Sequence, residues 1–463
     1  MIHSIISVLK NCWINPIWTI CCAIRNKGGI VACWNLVFRK YREGLSIKTI
    51  LRESWKSRIG TGYFEWQERF EKLTPQDMSA IRKQIQGLQS PPLISILMPV
   101  YNPDPHLLRQ ALDSVQNQIY PYWELCIADD ASPNAQIQTI LEDYCRADSR
   151  IHVIFRKENG HICAASNSAL DLCTGTYTAL MDHDDILPEV ALYFVAMEIT
   201  QHPDAMLIYS DEDLLSPQDK RYNPHFKPDW NEPLFLASNY LNHLSIYRTS
   251  LLREIGGFRL GYEGSQDHDL TLRCVLKIRP SQIRHIPRIL YHWRQFPGSG
   301  SFSDRALEQC KKARRQAVAD YLETKKCNAT VTRGCFGFNK INYTLKKLPP
   351  VTCVIPARNH AELTQICLNG LLYHTDYAPI EVILVDNGSI EQDAISLYKS
   401  FKNHPKVHVI HWDKPFNYSE INNMAAREAH GEILAFLNND IKVIHPDWLQ
   451  RLVAYAIQPE TGA

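Results

Sequence analysis

One pattern occurs twice in this chain at almost the same spacing, and it narrows the fold more than any other feature. Leu93-Ile94-Ser95-Ile96-Leu97-Met98-Pro99-Val100 breaks into Tyr101-Asn102, Trp123 to Ala128 breaks into Asp129-Asp130-Ala131-Ser132, and Tyr177-Thr178-Ala179-Leu180 runs into Met181-Asp182-His183-Asp184-Asp185. Further on, Thr352 to Ala357 leads into Arg358-Asn359, Val382 to Val385 into Asp386-Asn387-Gly388-Ser389, and Ala435-Phe436-Leu437 into Asn438-Asn439-Asp440. Asn102 and Asp129 are 27 residues apart, as are Asn359 and Asp386; Asp129 to Asp182 is 53 and Asp386 to Asn438 is 52. Agreement within one residue over three motifs indicates an internal duplication.

Each apolar run has strand length and stops abruptly at polar residues. Between the runs lie helical stretches, His106 to Gln118, Ile137 to Arg146 and Cys163 to Leu172. Strands alternating with helices of this length predict βαβ units and a mostly parallel sheet flanked by helices, an α/β fold. Ligands of such sheets sit at the carboxyl ends of the strands, where the polar clusters fall. Ahead of the sheet, Tyr63 to Leu88 reads as amphipathic helix with Thr74-Pro75-Gln76-Asp77 as a helix start. The expected organisation is a helical N-terminal region over 1–90, a first domain over 91–335, a linker over 336–349, and a partial second domain over 350–463.

Three carboxylates within Asp182-His183-Asp184-Asp185 repel one another unless a cation lies between them. Asp-x-Asp offers two hard oxygen donors on one side of a turn, which suits Mn²⁺ or Mg²⁺ with the remaining positions left to phosphate oxygens and water. The alternative is a solvated acidic turn that caps a helix starting near Pro188-Glu189. No Gly-x-Gly-x-x-Gly follows the first strand and no Gly-Lys-Ser/Thr occurs, which excludes dinucleotide and P-loop cradles and leaves phosphate to a metal.

A net charge of +1 over 463 residues argues against nucleic-acid binding. The basic character is local: residues 1–60 hold ten Lys or Arg against two acids, together with Trp13, Trp18, Trp34 and Trp55. Basic residues interleaved with aromatic anchors fit a helix lying on an anionic membrane; an extra helical layer on the next domain fits equally. The fourteen cysteines form no Cys-x-x-Cys, which suits a reducing compartment. No apolar run reaches the length of a membrane span. The expectation is a cytoplasmic protein, peripheral at the inner face of the cell membrane.

Met98-Pro99-Val100-Tyr101-Asn102, Asp129-Asp130-Ala131-Ser132, Asn159-Gly160-His161-Ile162-Cys163-Ala164-Ala165-Ser166-Asn167, Asp182-His183-Asp184-Asp185 and Gly264-Ser265-Gln266-Asp267, in this order, resemble a family-2 glycosyltransferase of the GT-A fold. The similarity is to bacterial enzymes of O-antigen and capsule synthesis and covers about residues 91–300. It implies inverting transfer of a sugar from a nucleotide-diphosphate donor to a glycan or lipid-linked acceptor. Under it, Asp129 matches the residue that binds base and ribose, and Pro99, Tyr101, Asn102, Asn159 and Asn167 belong to the same donor pocket. Asp182 and Asp184 match the pair contacting ribose and metal. His292, in Tyr291-His292-Trp293-Arg294, falls near the metal, and Asp267 matches the catalytic base. Without the resemblance, Asp267 and Asp269 read as residues favouring a helix N-terminus.

Ser210-Asp211-Glu212-Asp213 is expected to be a solvated acidic loop after a strand over Met206 to Tyr209. Pro224 to Asn239, with Phe226, Trp230, Phe235 and Asn239, is expected to be an aromatic acceptor loop. Lys311-Lys312-Ala313-Arg314-Arg315 reads as a solvated helix face. In the second copy Asn438 stands where Asp182 stands in the first, and the sequence ends at Ala463, so transfer is expected to rest on the first copy. The chain is then a fragment of a longer tandem enzyme or a natural truncation. Two other functions compete: a catalytically silent scaffold of a polysaccharide assembly complex, and a sugar nucleotidyltransferase.

Overall fold

A computed structural model describes residues 62–295, 307–458 and 461. The membrane reading of residues 1–60 lies outside them. The described residues divide into two units, one of 62–231, 240–263 and 277–295, the other of 232–239, 264–276, 307–458 and 461.

The first unit is built on an eight-stranded sheet: β1 (Ile94–Val100), β2 (Trp123–Asp129), β3 (Ile151–Phe155), β4 (Tyr177–Leu180), β5 (Leu207–Leu215), β6 (Arg221–His225), β7 (Ser245–Arg248) and β8 (Ile283–Arg294). The order is β3-β2-β1-β4-β7-β5-β6, with β8 beside β5. The first four strands are parallel, as expected for βαβ units. The sheet turns mixed at β7, which runs antiparallel to both β4 and β5. β1 and β2 are buried on both faces, which is why they are continuous apolar runs rather than alternating ones. Helix Pro75–Gln86 starts as expected: Thr74 Oγ1 accepts the Asp77 N–H at 3.2 Å, and Asp77 Oδ2 accepts the Thr74 N–H at 2.8 Å. Its Ile81 and Ile85 join the main core, so this helix is part of the first unit.

The second unit contains helices Glu232–Ala237, Gln266–Val275 and Leu307–Thr324, an antiparallel hairpin of β9 (Ala329–Arg333) and β10 (Asn339–Tyr343), and a four-stranded parallel sheet. β10 occupies the stretch expected to be a linker; there Asn339 and Ile341 are buried and alternate with half-exposed neighbours. The sheet comprises β11 (Val351–Ala357), β12 (Ile380–Asp386), β13 (Val407–His411) and β14 (Ile433–Phe436) in the order β13-β12-β11-β14. That is the order of β3-β2-β1-β4, and the register of β11 against β14 copies that of β1 against β4.

The copies share a polar lock where the strands begin. Buried Glu124 accepts from Ser95 Oγ at 2.6 Å and from the Gly175 N–H at 2.9 Å, and that N–H also reaches Ser95 Oγ at 2.9 Å. In the second sheet Thr352 Oγ1 donates to Glu381 at 2.5 Å and accepts the Gly431 N–H at 2.9 Å. A Cβ on Gly175 would lie 2.7 Å from both the Leu93 carbonyl and Ser95 Oγ, and one on Gly431 would lie 2.5 Å from the Thr352 nitrogen, so only glycine fits.

Candidate active site

The carboxyl ends of β1, β2 and β4 bring the first three motifs together. Asp129 closes β2 and is buried. Its Oδ2 accepts the Ser132 N–H at 3.1 Å, and Ser132 Oγ accepts the Asn102 N–H at 2.8 Å, so the ends of β1 and β2 are tied to each other. Asn102 adopts φ +46°, which Asn tolerates better than most residues. Asp129 Oδ1 is buried and has no partner among the described residues. An acceptor left bare at the mouth of a sheet is costly unless a ligand donor meets it. Tyr101, the residue after β1, is half-exposed. Asn159 donates to the Asp130 carbonyl at 3.3 Å, and its Oδ1 accepts the His161 N–H, shaping the loop before helix His161–Leu172.

Asn167 takes a different place from the one expected. Its Oδ1 accepts the Phe258 N–H at 2.7 Å and its Nδ2 donates to the Phe258 carbonyl at 2.8 Å. Each half of the amide makes a backbone hydrogen bond, so Asn167 braces the Gly257-Phe258 turn.

The acidic turn after β4 is held by neighbours on both sides. His183 Nδ1 lies 3.2 Å from the Pro99 carbonyl at the end of β1. The Asp182 N–H donates to the Tyr291 hydroxyl, which donates to Asp185 at 2.6 Å. Arg294 donates from its backbone to Asp185 and from Nε to the Asp184 carbonyl. Burial, with the neighbouring Asp182 charge, pushes the Asp184 carboxyl up, and burial with the Asp184 and Asp182 charges pushes Asp185 far up. Negative charge is therefore under-compensated here, which suits a cation. No three His, Cys, Asp or Glu side chains among the described residues form a ready metal cage. Of the two expected metal residues, Asp184 has the surroundings that suit a cation, and His292 turns its Nδ1 toward Asp213 at 2.6 Å.

The acidic stretch 210–213 is not a solvated loop. β5 runs through it, and Ser210, Asp211, Glu212 and Asp213 are all buried. Each carboxylate has its own partners, which the local sequence could not reveal because they come from other strands. Asp211 lies 2.9 Å from His285 Nε2. Asp213 meets His292 Nδ1 at 2.6 Å and Arg221 Nε at 2.6 Å. Glu212 accepts the His243 N–H at 2.5 Å, with His243 Nδ1 and His225 Nδ1 each at 3.1 Å. Burial raises the Glu212 carboxyl, but Lys227 and the two imidazoles outweigh it and hold it well below the usual range.

His243, which the sequence did not single out, faces the acidic turn. Its Nε2 is 3.9 Å from Asp182 Oδ2, and its ring stacks on Tyr291 at 4.7 Å. Burial opposes its charge, yet Glu212, Asp182 and Asp185 raise its pKa to about 9. The signal is absent from the sequence because Asn242-His243 sits in an unremarkable run before β7.

Within the second unit, Asp267 lies in the first turn of helix Gln266–Val275. Asn239 Nδ2 donates to its Oδ2 at 2.9 Å, and the His268 N–H donates to Oδ1 at 2.8 Å. Neighbouring Asp269 is buried and pairs with Arg273 at 2.9 Å. Of the expected acceptor aromatics, Phe235 is fully buried while Phe226 is half-exposed. Arg314, expected on a solvated face, is partly buried; it donates to the Gly337 carbonyl, and burial and the neighbouring Arg315 charge lower its pKa against the opposing pull of Asp267.

Residues 95–256 and 352–463 match Glycosyl transferase family 2. The chain belongs to that family, and its two matched segments are the two copies of the sheet. It is 38% identical to uncharacterized protein y4gI of Sinorhizobium fredii, covering 91% of this chain and 47% of that protein. It is 35% identical to O-antigen biosynthesis protein RfbC of Myxococcus xanthus, covering 84% of this chain and 30% of that one. The chain thus spans less than half the length of either relative. The crystal structure of S. aureus TarS 1-349 superimposes with a TM-score of 0.40 at 20% identity, over 50% of this chain and 65% of that one. No helix among the described residues is long and apolar enough to cross a membrane.

Proposed function

We propose that this chain transfers a sugar, with inversion, from a nucleoside-diphosphate sugar to a glycan or lipid-linked acceptor in cell-surface polysaccharide synthesis. The observation that carries the reading is the presence, at one sheet edge, of the bare Asp129 Oδ1 and of the Asp184 carboxyl that burial and the Asp182 charge push up. Asp129 is suited to the nucleoside, with Pro99, Tyr101, Asn102 and Asn159 around it, and Asp182 to the ribose end. Asp184 and His292 would hold Mn²⁺ or Mg²⁺. Bound there, such an ion neutralises charge on the departing diphosphate. Asp267 is the proposed base that takes the proton from the attacking hydroxyl, a weak base that suffices when proton transfer is late.

Thermal shift in the presence of Mn²⁺ tests this. UDP or GDP should raise the melting temperature more than the corresponding triphosphate, and Asp184→Asn should remove the metal-dependent part. Preference for a triphosphate would favour a nucleotidyltransferase, and no stabilisation by any nucleotide would favour a scaffold.

A further inference from the structure

We infer that Asp213 and Tyr63 are positioning residues for the metal end of the site, acting through His292. This rests on the proposed role of His292 and adds to it a part of the chain, helix 62–70, that lies outside both family-matched segments. Asp213 is fully buried in β5, opposite His292 of β8. Its Oδ1 receives His292 Nδ1 at 2.6 Å. Its Oδ2 receives the Tyr63 hydroxyl at 2.5 Å and Arg221 Nε at 2.6 Å. Arg221 in turn donates to the Tyr63 oxygen at 3.0 Å and to Glu71 at 2.7 Å.

Both carboxylate oxygens are thereby fixed from three sides, by a helix and two strands, so the imidazole bound to them cannot turn. The contact also settles which nitrogen is which. In the neutral ring, a carboxylate that accepts a hydrogen bond from Nδ1–H leaves Nε2 as the nitrogen carrying the lone pair, the form in which histidine binds a divalent ion. Nε2 of His292 has no hydrogen-bond partner among the described residues. A plain structural staple needs no such arrangement, since an apolar cluster would join helix to sheet without burying a carboxylate. Mutating an outer partner of this kind typically weakens metal binding about 10–100-fold.

The test is Mn²⁺ alone titrated into the full chain, with free Mn²⁺ read by EPR, for wild type, Asp184→Asn, His292→Gln, Asp213→Asn and the double variant Asp213→Asn/His292→Gln. Asp213→Asn should weaken Mn²⁺ roughly 10–100-fold in the wild-type background and less than about twofold when His292 is already Gln. Tyr63→Phe, which removes one hydroxyl and keeps the ring packing, should weaken Mn²⁺ severalfold and also lose its effect in the His292→Gln background; it takes the place of Asp213→Asn in the cycle should that variant not fold. Equal effects in both backgrounds, or none in either, overturn the inference while leaving the metal reading intact. Wild type that binds no Mn²⁺, or binds it no better than Asp184→Asn, overturns the metal reading and this inference with it.

Discussion

Replacing Lys227 by Met should destabilise the first unit by about 3 kcal/mol. The Lys227 side chain is wholly buried, its Nζ donating to the carbonyls of His243 at 2.6 Å and Leu241 at 3.2 Å and standing 3.9 Å from Glu212. Removing one partner of a buried pair costs roughly 3–5 kcal/mol, because the other charge remains buried. The two carbonyls lose a donor as well, which lies within that range. Methionine fills nearly the same volume and returns about 1 kcal/mol of apolar burial, and His225 and His243 still hold Glu212. Urea unfolding followed by circular dichroism, wild type against Lys227→Met, measures the difference. A second readout is the pH dependence. Burial pulls the ammonium pKa to about 8, against an ordinary value near 10.4, so between those values the unfolded chain keeps a proton that the folded chain has released. Wild-type stability should therefore rise as pH goes from 8 toward 10, and the variant should lack that rise. A loss below about 1 kcal/mol with an unchanged pH profile would refute the reasoning, since it would mean the ammonium does not hold the 241–243 segment.

Asp267→Asn keeps the shape of the side chain but cannot take a proton; turnover should fall by roughly 10² or more with nucleotide affinity unchanged, and equal turnover in both forms would move the base elsewhere. His268 is buried with Nε2 on the Phe235 carbonyl, and burial lowers its pKa to about 3. Its folded pKa lies below the unfolded value near 6.5, so stability is full above pH 6.5 and should fall by up to ~1.4 kcal/mol per unit on acidification toward 3. Urea midpoints measured from pH 7 to 4 should flatten in His268→Gln; an unchanged slope would point to another group. Gly175→Ala should cost about 1–3 kcal/mol of stability, as should Gly431→Ala in its own sheet, and a neutral result at either in urea unfolding would contradict the close approach described there.

The central strands β1, β2, β11 and β12 were legible because both their faces are largely buried, so apolar runs and their polar ends mark them without help from distant partners. The same holds for Asn102, Asp129, Asp182 and Asp184, which close strands and stand where runs break. What the sequence concealed lies in the mixed half of the first sheet. Asp211, Glu212 and Asp213 look solvated because no basic residue stands beside them in the sequence; His285, His243, Lys227 and Arg221 pair with them and Tyr63 donates to Asp213, from 8 to 150 residues away. The bracing role of Asn167 was hidden for the same reason, since the turn its amide holds lies 91 residues further on.

The two glycine locks sit where the strands begin, and the proposed nucleotide chemistry sits where they end. A sheet divided in this way can change at one end while the other preserves its alignment. Asn438 in place of an acid leaves Glu381, Thr352 and Gly431 untouched, and β11 and β14 keep the register of β1 and β4. Duplicated sheets of this kind are thus free to diverge in what they bind without a matching loss of foldability, so a chain can carry one copy for catalysis and hand the other to a different ligand or to none.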